Sequence, residues 1–390
     1  MIKSLLILFD INYFIWYSNY IDNGCDMMKI LILSCSTGGG HNSCAKYISE
    51  ELKSKNIDYE FKDYFDIVNK KAKSLASKIY LNSLGKDGKI FKKVYKMGEL
   101  YSSTKIKSPI YLISKAHRKK LYKYIKNNSF DLVITTHLFP GLALTAIKND
   151  KKEDNINFIM IATDYEPCPF IEEVKPNFLV IPKGLEKRCL NKGINENILL
   201  STGIPVSTNF IKSAKNVRKK LKINDENVIL VMLGSMGFGR INEIINDITN
   251  IDDTKIIVVC GSNTLLYREL SNLNNSKIIV LGFVNNINDL IYSSDIVLSK
   301  PGGLSTTEII SITKPLIHIF PIPGIETYNS NFFSTKGMSL KCNSKEEIIT
   351  SIKRILSDKN LKNNMIKNQK KYINKNSAKD LVEFIVNNFW

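Results

Sequence analysis

The sequence predicts an α/β protein of two Rossmann-like, doubly wound domains that face each other across a cleft. Three observations predict it. Short apolar runs alternate with helix-patterned stretches, the alternation restarts after a Gly/Pro-punctuated stretch, and glycine-rich turns follow apolar runs in both halves. In the first half the strand-like runs are Lys29–Ser34, Leu132–Thr135, Phe158–Ala162 and Phe178–Ile181. "STGIPVS", residues 201–207, reads as the linker. The second half opens with "VILVMLGSMGFGR", residues 228–240, and continues with runs at Ile256–Cys260, Ile278–Leu281, Ile296–Leu298 and Leu316–Ile319. The expected division is an extension over residues 1–28, a first domain over 29–204 and a second over 205–390, whose last helix can return to the first domain. At 390 residues, each half is long enough to bury its own core.

Composition narrows the class of function. The 44% hydrophobic and 24% charged content are ordinary for a globular protein. Seven cysteines stand at scattered positions without CxxC or Cys/His ligand spacing, which indicates neither a disulfide framework nor a zinc site and fits a reducing, cytoplasmic setting. Cys25, Cys189 and Cys260 read as small apolar packing residues. The net charge of +18 is concentrated: Lys70 to Lys126 holds 17 Lys and Arg against Asp87 and Glu99. Tyr80, Phe91, Tyr95, Tyr101, Tyr111, Tyr122 and Tyr124 are interleaved there with Met97, Ile110 and Leu112. Basic side chains among amphipathic aromatics suit an anionic membrane surface, and nucleic acid is the less favoured partner. Residues 1–27 are apolar and aromatic, but Asp10 interrupts them and no small-residue cleavage site follows. An interfacial anchor or a translation start at Met28, directly before the first strand, are the two readings of this stretch.

The motifs lie at strand ends. "STGGGH", residues 36–41, joins the first strand to a helix patterned by Ala45, Ile48 and Leu52. Gly38, Gly39 and Gly40 let backbone N–H groups approach a ligand, and the helix they open favours an anion. His41 adds a titratable group that the helix dipole keeps in its neutral, proton-accepting form. In the second half Gly234, Ser235 and Gly237 form a turn suited to a diphosphate, without dinucleotide or P-loop spacing. In "LSKPGGLSTTEII" Gly302 and Gly303 turn the chain, and Ser305 with Glu308 has the spacing of a capping box. The alternative use of Glu308 is to accept a ribose diol. In "PIPGIETYNS", Glu326 and Asn329 stand in a Pro/Gly loop able to fix sugar hydroxyls.

With "TDYEPCPFIEE" and "TGIPVS" between them, these motifs resemble the two-domain glycosyltransferases of the monogalactosyldiacylglycerol synthase and processive diacylglycerol glucosyltransferase family, over residues 29 to 370. The resemblance implies a GT-B fold, a UDP-hexose held by the second domain, a diacylglycerol-type acceptor met by the first, and inversion at the anomeric carbon. It implies a diphosphate at Gly234, Ser235 and Gly237, uracil near Phe283 and Val284, ribose at Glu308 beside Gly302 and Gly303, and hexose at Glu326 and Asn329. On the acceptor side it implies His41 as the candidate base, with Asp164 as the rival base or the residue that orients the histidine. Cys168 and Pro169 stand where many relatives carry a histidine, and Ile325 where a polar residue is common. No DxD motif is present, and neither metal nor cofactor is expected: fixed N–H donors would meet the charge on departing UDP. The expected place of work is the cytoplasmic face of the cell membrane, by peripheral attachment. A nucleotide-sugar epimerase, a UDP-N-acetylglucosamine-dependent transferase, and a non-catalytic membrane or RNA-binding protein are the competing readings.

Overall fold

The computed structural model describes residues 28–36, 39–69, 89–102, 104, 106–150, 156–234 and 241–390. Residues 1–27 and 70–88, and Gly38, Ser235 and Gly237 of the two turns, lie outside the described residues. The described residues form two six-stranded sheets in which every ladder is parallel. The first comprises β1 (Lys29–Ser34), β2 (Asp58–Asp63), β3 (Leu132–Thr135), β4 (Asn157–Ile161), β5 (Phe178–Val180) and β6 (Leu199–Leu200). Its order is β2-β1-β3-β4-β5-β6. The second comprises β7 (Asn227–Met232), β8 (Thr254–Val259), β9 (Ile278–Leu281), β10 (Ile296–Ser299), β11 (Leu316–His318) and β12 (Leu340–Lys341), ordered β12-β11-β10-β7-β8-β9. Read from β9, the second sheet is the 3-2-1-4-5-6 arrangement of dinucleotide-binding folds.

Strand order fixes where a ligand can enter. In the first sheet the direction of winding reverses between β1 and β3, and in the second between β7 and β10. At such switch points the connections leave to opposite faces and open a crevice beyond the carboxyl ends of the strands. The turns after β1 and β7 therefore lie at crevices because of topology, independent of their glycine content.

Apolar packing continues from one lobe into the other. One buried cluster contains Ile30, Ile48, Ile134 and Ile159 of the first lobe with Val228, Leu304 and Phe333 of the second. The Ser377–Phe389 helix belongs to the same cluster through Leu381, Val382 and Ile385, the i, i+1, i+4 stripe of one helical face. It lies against the first lobe, with the Phe384 ring edge-on to Phe178 at 4.8 Å. Ser377 pins its start: Oγ accepts from Val206 N and donates to Ile204 O, each at 3.0 Å.

The described part of the basic segment is two-faced. In the Lys89–Ser102 helix, Ile90, Val94, Met97 and Leu100 form an exposed stripe, flanked by exposed Lys92, Lys93 and Lys96. The opposite stripe faces inward. Gly98 sits against Pro169 and Phe170, Tyr95 approaches Gly324, and Glu99 accepts a 3.0 Å hydrogen bond from Tyr328. The helix thereby touches both lobes. Ile106, Leu112 and Ile113 extend the exposed apolar surface, whereas Tyr111 is buried.

Candidate active site

His41 stands in the first turn of the Gly39–Ser54 helix, at the switch point of the first sheet. Its Nδ1 lies 2.7 Å from the carbonyl of Thr136, at the carboxyl end of β3. A carbonyl only accepts, so Nδ1 carries the proton and Nε2 holds the lone pair. Thr136 Oγ1 returns a hydrogen bond of 3.1 Å to the carbonyl of His41, closing a two-point clip between the loops after β1 and β3. Thr163 Oγ1 is a further neighbour, 3.2 Å from Nδ1. Burial lowers the imidazole pKa, opposed by the charge of Asp164 and by the Thr136 hydrogen bond. His137 packs edge-on against His41, with ring centroids 4.6 Å apart.

Asp164 follows β4 and is held from the other lobe. Its Oδ1 accepts from Asn329 Nδ2 at 2.8 Å, and Gly303 N–H at the start of the Gly303–Ser311 helix also donates to it. Burial raises its pKa, while Asn329, the His41 charge and Gly303 pull it down. The carboxylate thus acts as an interlobe cap at a helix N-terminus, where negative charge is favoured. The approach is close: a Cβ on Gly303 would lie 2.0 Å from Thr163 O and 2.9 Å from Asp164 Cα. Only glycine lets the lobes meet this way.

Two sequence expectations are corrected here. Ser305 does not cap the helix: the cap position is Gly302, and Glu308 lies inside the Gly303–Ser311 helix as a buried residue. The S-x-x-E spacing is thus a chance match one turn too late. Nor do Glu326 and Asn329 stand in a loop. Gly324, at φ 111°, turns the chain directly into the Ile325–Thr335 helix and places both in its first turns.

The two side chains differ in what they offer. Glu326 Oε2 accepts from Ile322 N at 2.7 Å and its Oε1 lies 3.4 Å from Lys300 Nζ, so it is a paired charge beside the cleft. Burial raises its pKa and the Lys300 charge opposes the rise. Asn329 is fully buried, and both of its amide hydrogens are used, one on Asp164 and one on Pro301 O at 2.9 Å. Its Oδ1 accepts from Tyr165 N at 2.8 Å. Asn329 thereby clasps the lobes, with its carbonyl and both amide hydrogens engaged.

Of the residues expected on the donor side, Gly234, Phe283, Val284 and Glu308 border a cavity of 380 Å³, whereas Gly302, Gly303, Glu326 and Asn329 do not line it. Gly39 and Gly40 of the first turn, Gly234, Phe283, Val284 and Glu308 all line it. Gly234 takes φ 76°, and among the described residues nothing lies within 4 Å of an added Cβ. Phe283 is 68% exposed at the rim. Gly302, at the helix start, likewise has open space beside it. A second cavity, of 320 Å³, is lined by His41, His137 and Asp164 together with Phe91, Val94 and Tyr95 of the Lys89–Ser102 helix. Cys168, Pro169 and Ile325 also line it. One turn separates the cavities: Gly39 and Gly40 belong to the first and His41 to the second.

Tyr47, Thr136, His137, Thr163 and Tyr165 complete the site without having been legible as its members. For Thr136 and His137 the signal was position, since they end an apolar run. Tyr47 sits at an ordinary core spacing of its helix and carries no such signal.

Two doubly wound lobes with a cleft between their carboxyl edges define the GT-B fold. Solved structures of the same architecture include MurG of Acinetobacter baumannii (TM-score 0.59, 14% identity, 92% of this chain and 99% of that one). The UDP-GlcNAc 2-epimerase of Neisseria meningitidis bound to UDP-GlcNAc also matches (TM-score 0.59, 15% identity, 93% and 100%). Residues 41–206 match the monogalactosyldiacylglycerol (MGDG) synthase family, and residues 228–385 match the glycosyltransferase family 28 C-terminal domain. The processive diacylglycerol beta-glucosyltransferase of Bacillus subtilis (strain 168) is 28% identical over 369 residues, 92% of this chain and 94% of that one. The chain belongs to this family of glycosyltransferases, with an MGDG synthase domain followed by a family 28 C-terminal domain.

Proposed function

We propose that the protein transfers a hexose, with inversion, from a UDP-sugar to the free hydroxyl of a diacylglycerol-type lipid while docked on an anionic membrane surface. The observation that carries this reading is the pairing of cavities on either side of one turn. The glycine-lined cavity offers backbone N–H groups and a buried carboxylate to a nucleotide. The other is shared by His41, Asp164 and the helix whose outer face is an exposed apolar stripe among lysines. A lipid entering from that face brings its hydroxyl to the imidazole.

In this reading His41 Nε2 takes the proton of the acceptor hydroxyl as its oxygen attacks the anomeric carbon, and UDP departs on the opposite side. Asp164 stabilises the imidazolium that forms and is itself held by Asn329 and Gly303. Negative charge on the departing diphosphate meets the amides around Gly234 and the helix start at Gly302, without a cofactor. Glu308 receives the ribose diol, for which an acceptor-only group is suited. Glu326 and its Lys300 partner border the hexose.

The test is UDP release with and without diacylglycerol in mixed micelles. Lipid-dependent release with a glycolipid product supports the reading. Lipid-independent release with a free sugar would show an epimerase-type reaction, and no release with either would leave a binding protein. For the donor site, Glu308→Ala should raise the donor KM by about tenfold or more, as loss of a charged hydrogen-bond acceptor predicts. Unchanged UDP affinity in a folded variant would remove Glu308 from the donor site.

Attachment to the surface is proposed to be peripheral, on the cytoplasmic side. Among the described residues no helix is long and apolar enough to cross a membrane. Met97 and Leu100 are 70% and 74% exposed, so replacing both by Asp leaves the core intact while opposing insertion. Sedimentation with anionic vesicles should fall several-fold for this variant, and for the wild type as salt is raised. Equal binding to neutral and anionic vesicles would exclude the lysines from the anchor.

A further inference from the structure

We infer that Thr163 is a positioning residue for the base: its hydroxyl oxygen is a second acceptor on the protonated nitrogen of His41 and stabilises the imidazolium that forms during transfer. The inference rests on the reading of His41 as that base.

Strand order brings the three groups together. β1, β3 and β4 are neighbours in the first sheet, and each sends one residue to the same place beyond its carboxyl end: His41, Thr136 and Thr163. His41 Nδ1 has a single proton, and Thr136 O, 2.7 Å away, can only accept it. Thr163 Oγ1 stands 3.2 Å from the same nitrogen and therefore faces an N–H, not a lone pair. The N–H is shared between a carbonyl and a hydroxyl oxygen, as in other three-centre hydrogen bonds. Thr163 is held firmly in this position. The residue is buried, and its carbonyl meets the start of the Gly303–Ser311 helix so closely that a Cβ on Gly303 would lie 2.0 Å from it. Asp164, the next residue, is fixed by Asn329.

Proton transfer to Nε2 leaves the Nδ1–H in place but gives the ring a full positive charge. Hydrogen bonds to an ionised partner are roughly twice as strong as neutral ones, so both acceptors gain at that moment. The other titratable groups at the ring are Asp164, whose charge favours the imidazolium, and His137, packed edge-on. Burial works against the charged ring. The Thr163 hydroxyl offsets part of that cost without adding a charge of its own.

Thr163→Val keeps the branched shape and removes the acceptor, whereas Thr163→Ser keeps the oxygen. In lipid-dependent turnover at neutral pH, kcat should fall by about three- to tenfold in Thr163→Val, the net worth of one hydrogen bond, and stay near wild type in Thr163→Ser. The acid limb of kcat/KM should move to lower pH in Thr163→Val, because an imidazolium with one acceptor fewer is a stronger acid. The Kd for UDP should not change. In a His41→Ala background, Thr163→Val should have no further effect on kcat. An acid limb that stays in place in Thr163→Val, at whatever rate, would overturn the inference. Equal losses in the valine and serine variants would also overturn it, because packing would then be the cause. So would an undiminished loss in the His41→Ala background, since the effect would bypass the imidazole. If His41→Ala itself turns over as wild type, the base reading fails, and the inference fails with it.

Discussion

His41→Ala lowers kcat by about 10²–10⁴-fold, the range typical of a lost general base, while UDP binds as it does to the wild type. The first half of that expectation follows from the tautomer. Thr136 O accepts from Nδ1 and thereby keeps the basic lone pair on Nε2. Burial lowers the imidazole pKa below its ordinary 6.5, so the proton-accepting form dominates at neutral pH. A base must be unprotonated, so kcat/KM should be level through neutrality and fall only on the acid side, below the ordinary histidine range. The second half follows from the cavities: His41 lines one, and the proposed nucleotide site is the other. Asp164→Asn is the control. It keeps the size of the side chain but loses the charge that stabilises an imidazolium, so kcat should fall with a change in the pH profile. Near-wild-type kcat for His41→Ala with none for Asp164→Asn would transfer the role of base to Asp164.

Gly303→Ala should cost at least about 10²-fold in kcat/KM, the penalty that a misplacement near 1 Å can impose on a reacting geometry. A Cβ 2.0 Å from Thr163 O meets backbone, which cannot rotate away, and a second backbone atom, Asp164 Cα, lies 2.9 Å off. Loop and helix must separate, carrying Asp164 from its Gly303 and Asn329 donors. The second lobe itself should remain folded, because alanine favours a helix over glycine by about 1 kcal/mol. Thermal melting near the wild-type midpoint combined with lost turnover is the expected pair of results. Wild-type turnover would show that the lobes approach differently during catalysis.

Much of this frame was legible in the sequence, for a physical reason. A parallel strand covered on both faces reads as a continuous apolar run, and β1 and β3 have the limits their runs suggest. Strand β2, "DYEFKD", did not announce itself, because at the sheet edge its alternating charges face outward. The two-residue strands β6 and β12 are too short to carry a pattern. Glycine turns pointed to the cleft because backbone exposure is a local property. The clasp was not legible: Asn329 with Asp164 and Tyr47 with Glu308 each join groups more than 160 positions apart. An amide in a Pro/Gly segment suggests recognition of a sugar and gives no hint of the interlobe hydrogen bonds that Asn329 also makes.

The returning C-terminal helix imposes an order on biosynthesis. The strands of the first sheet leave the ribosome early, yet the face of the first lobe around Phe178 is covered by Phe384 and Phe389, near the last residue of the chain. Until the Ser377–Phe389 segment emerges, that face stays open to water, as does the stripe of Ile90, Val94, Met97 and Leu100, which remains exposed even in the finished protein. Contacts across such a separation form late and slowly. A nascent first lobe therefore presents two apolar surfaces, one temporary and one permanent, and a chain stalled before residue 377 keeps both, with the aggregation hazard that exposed apolar surface brings.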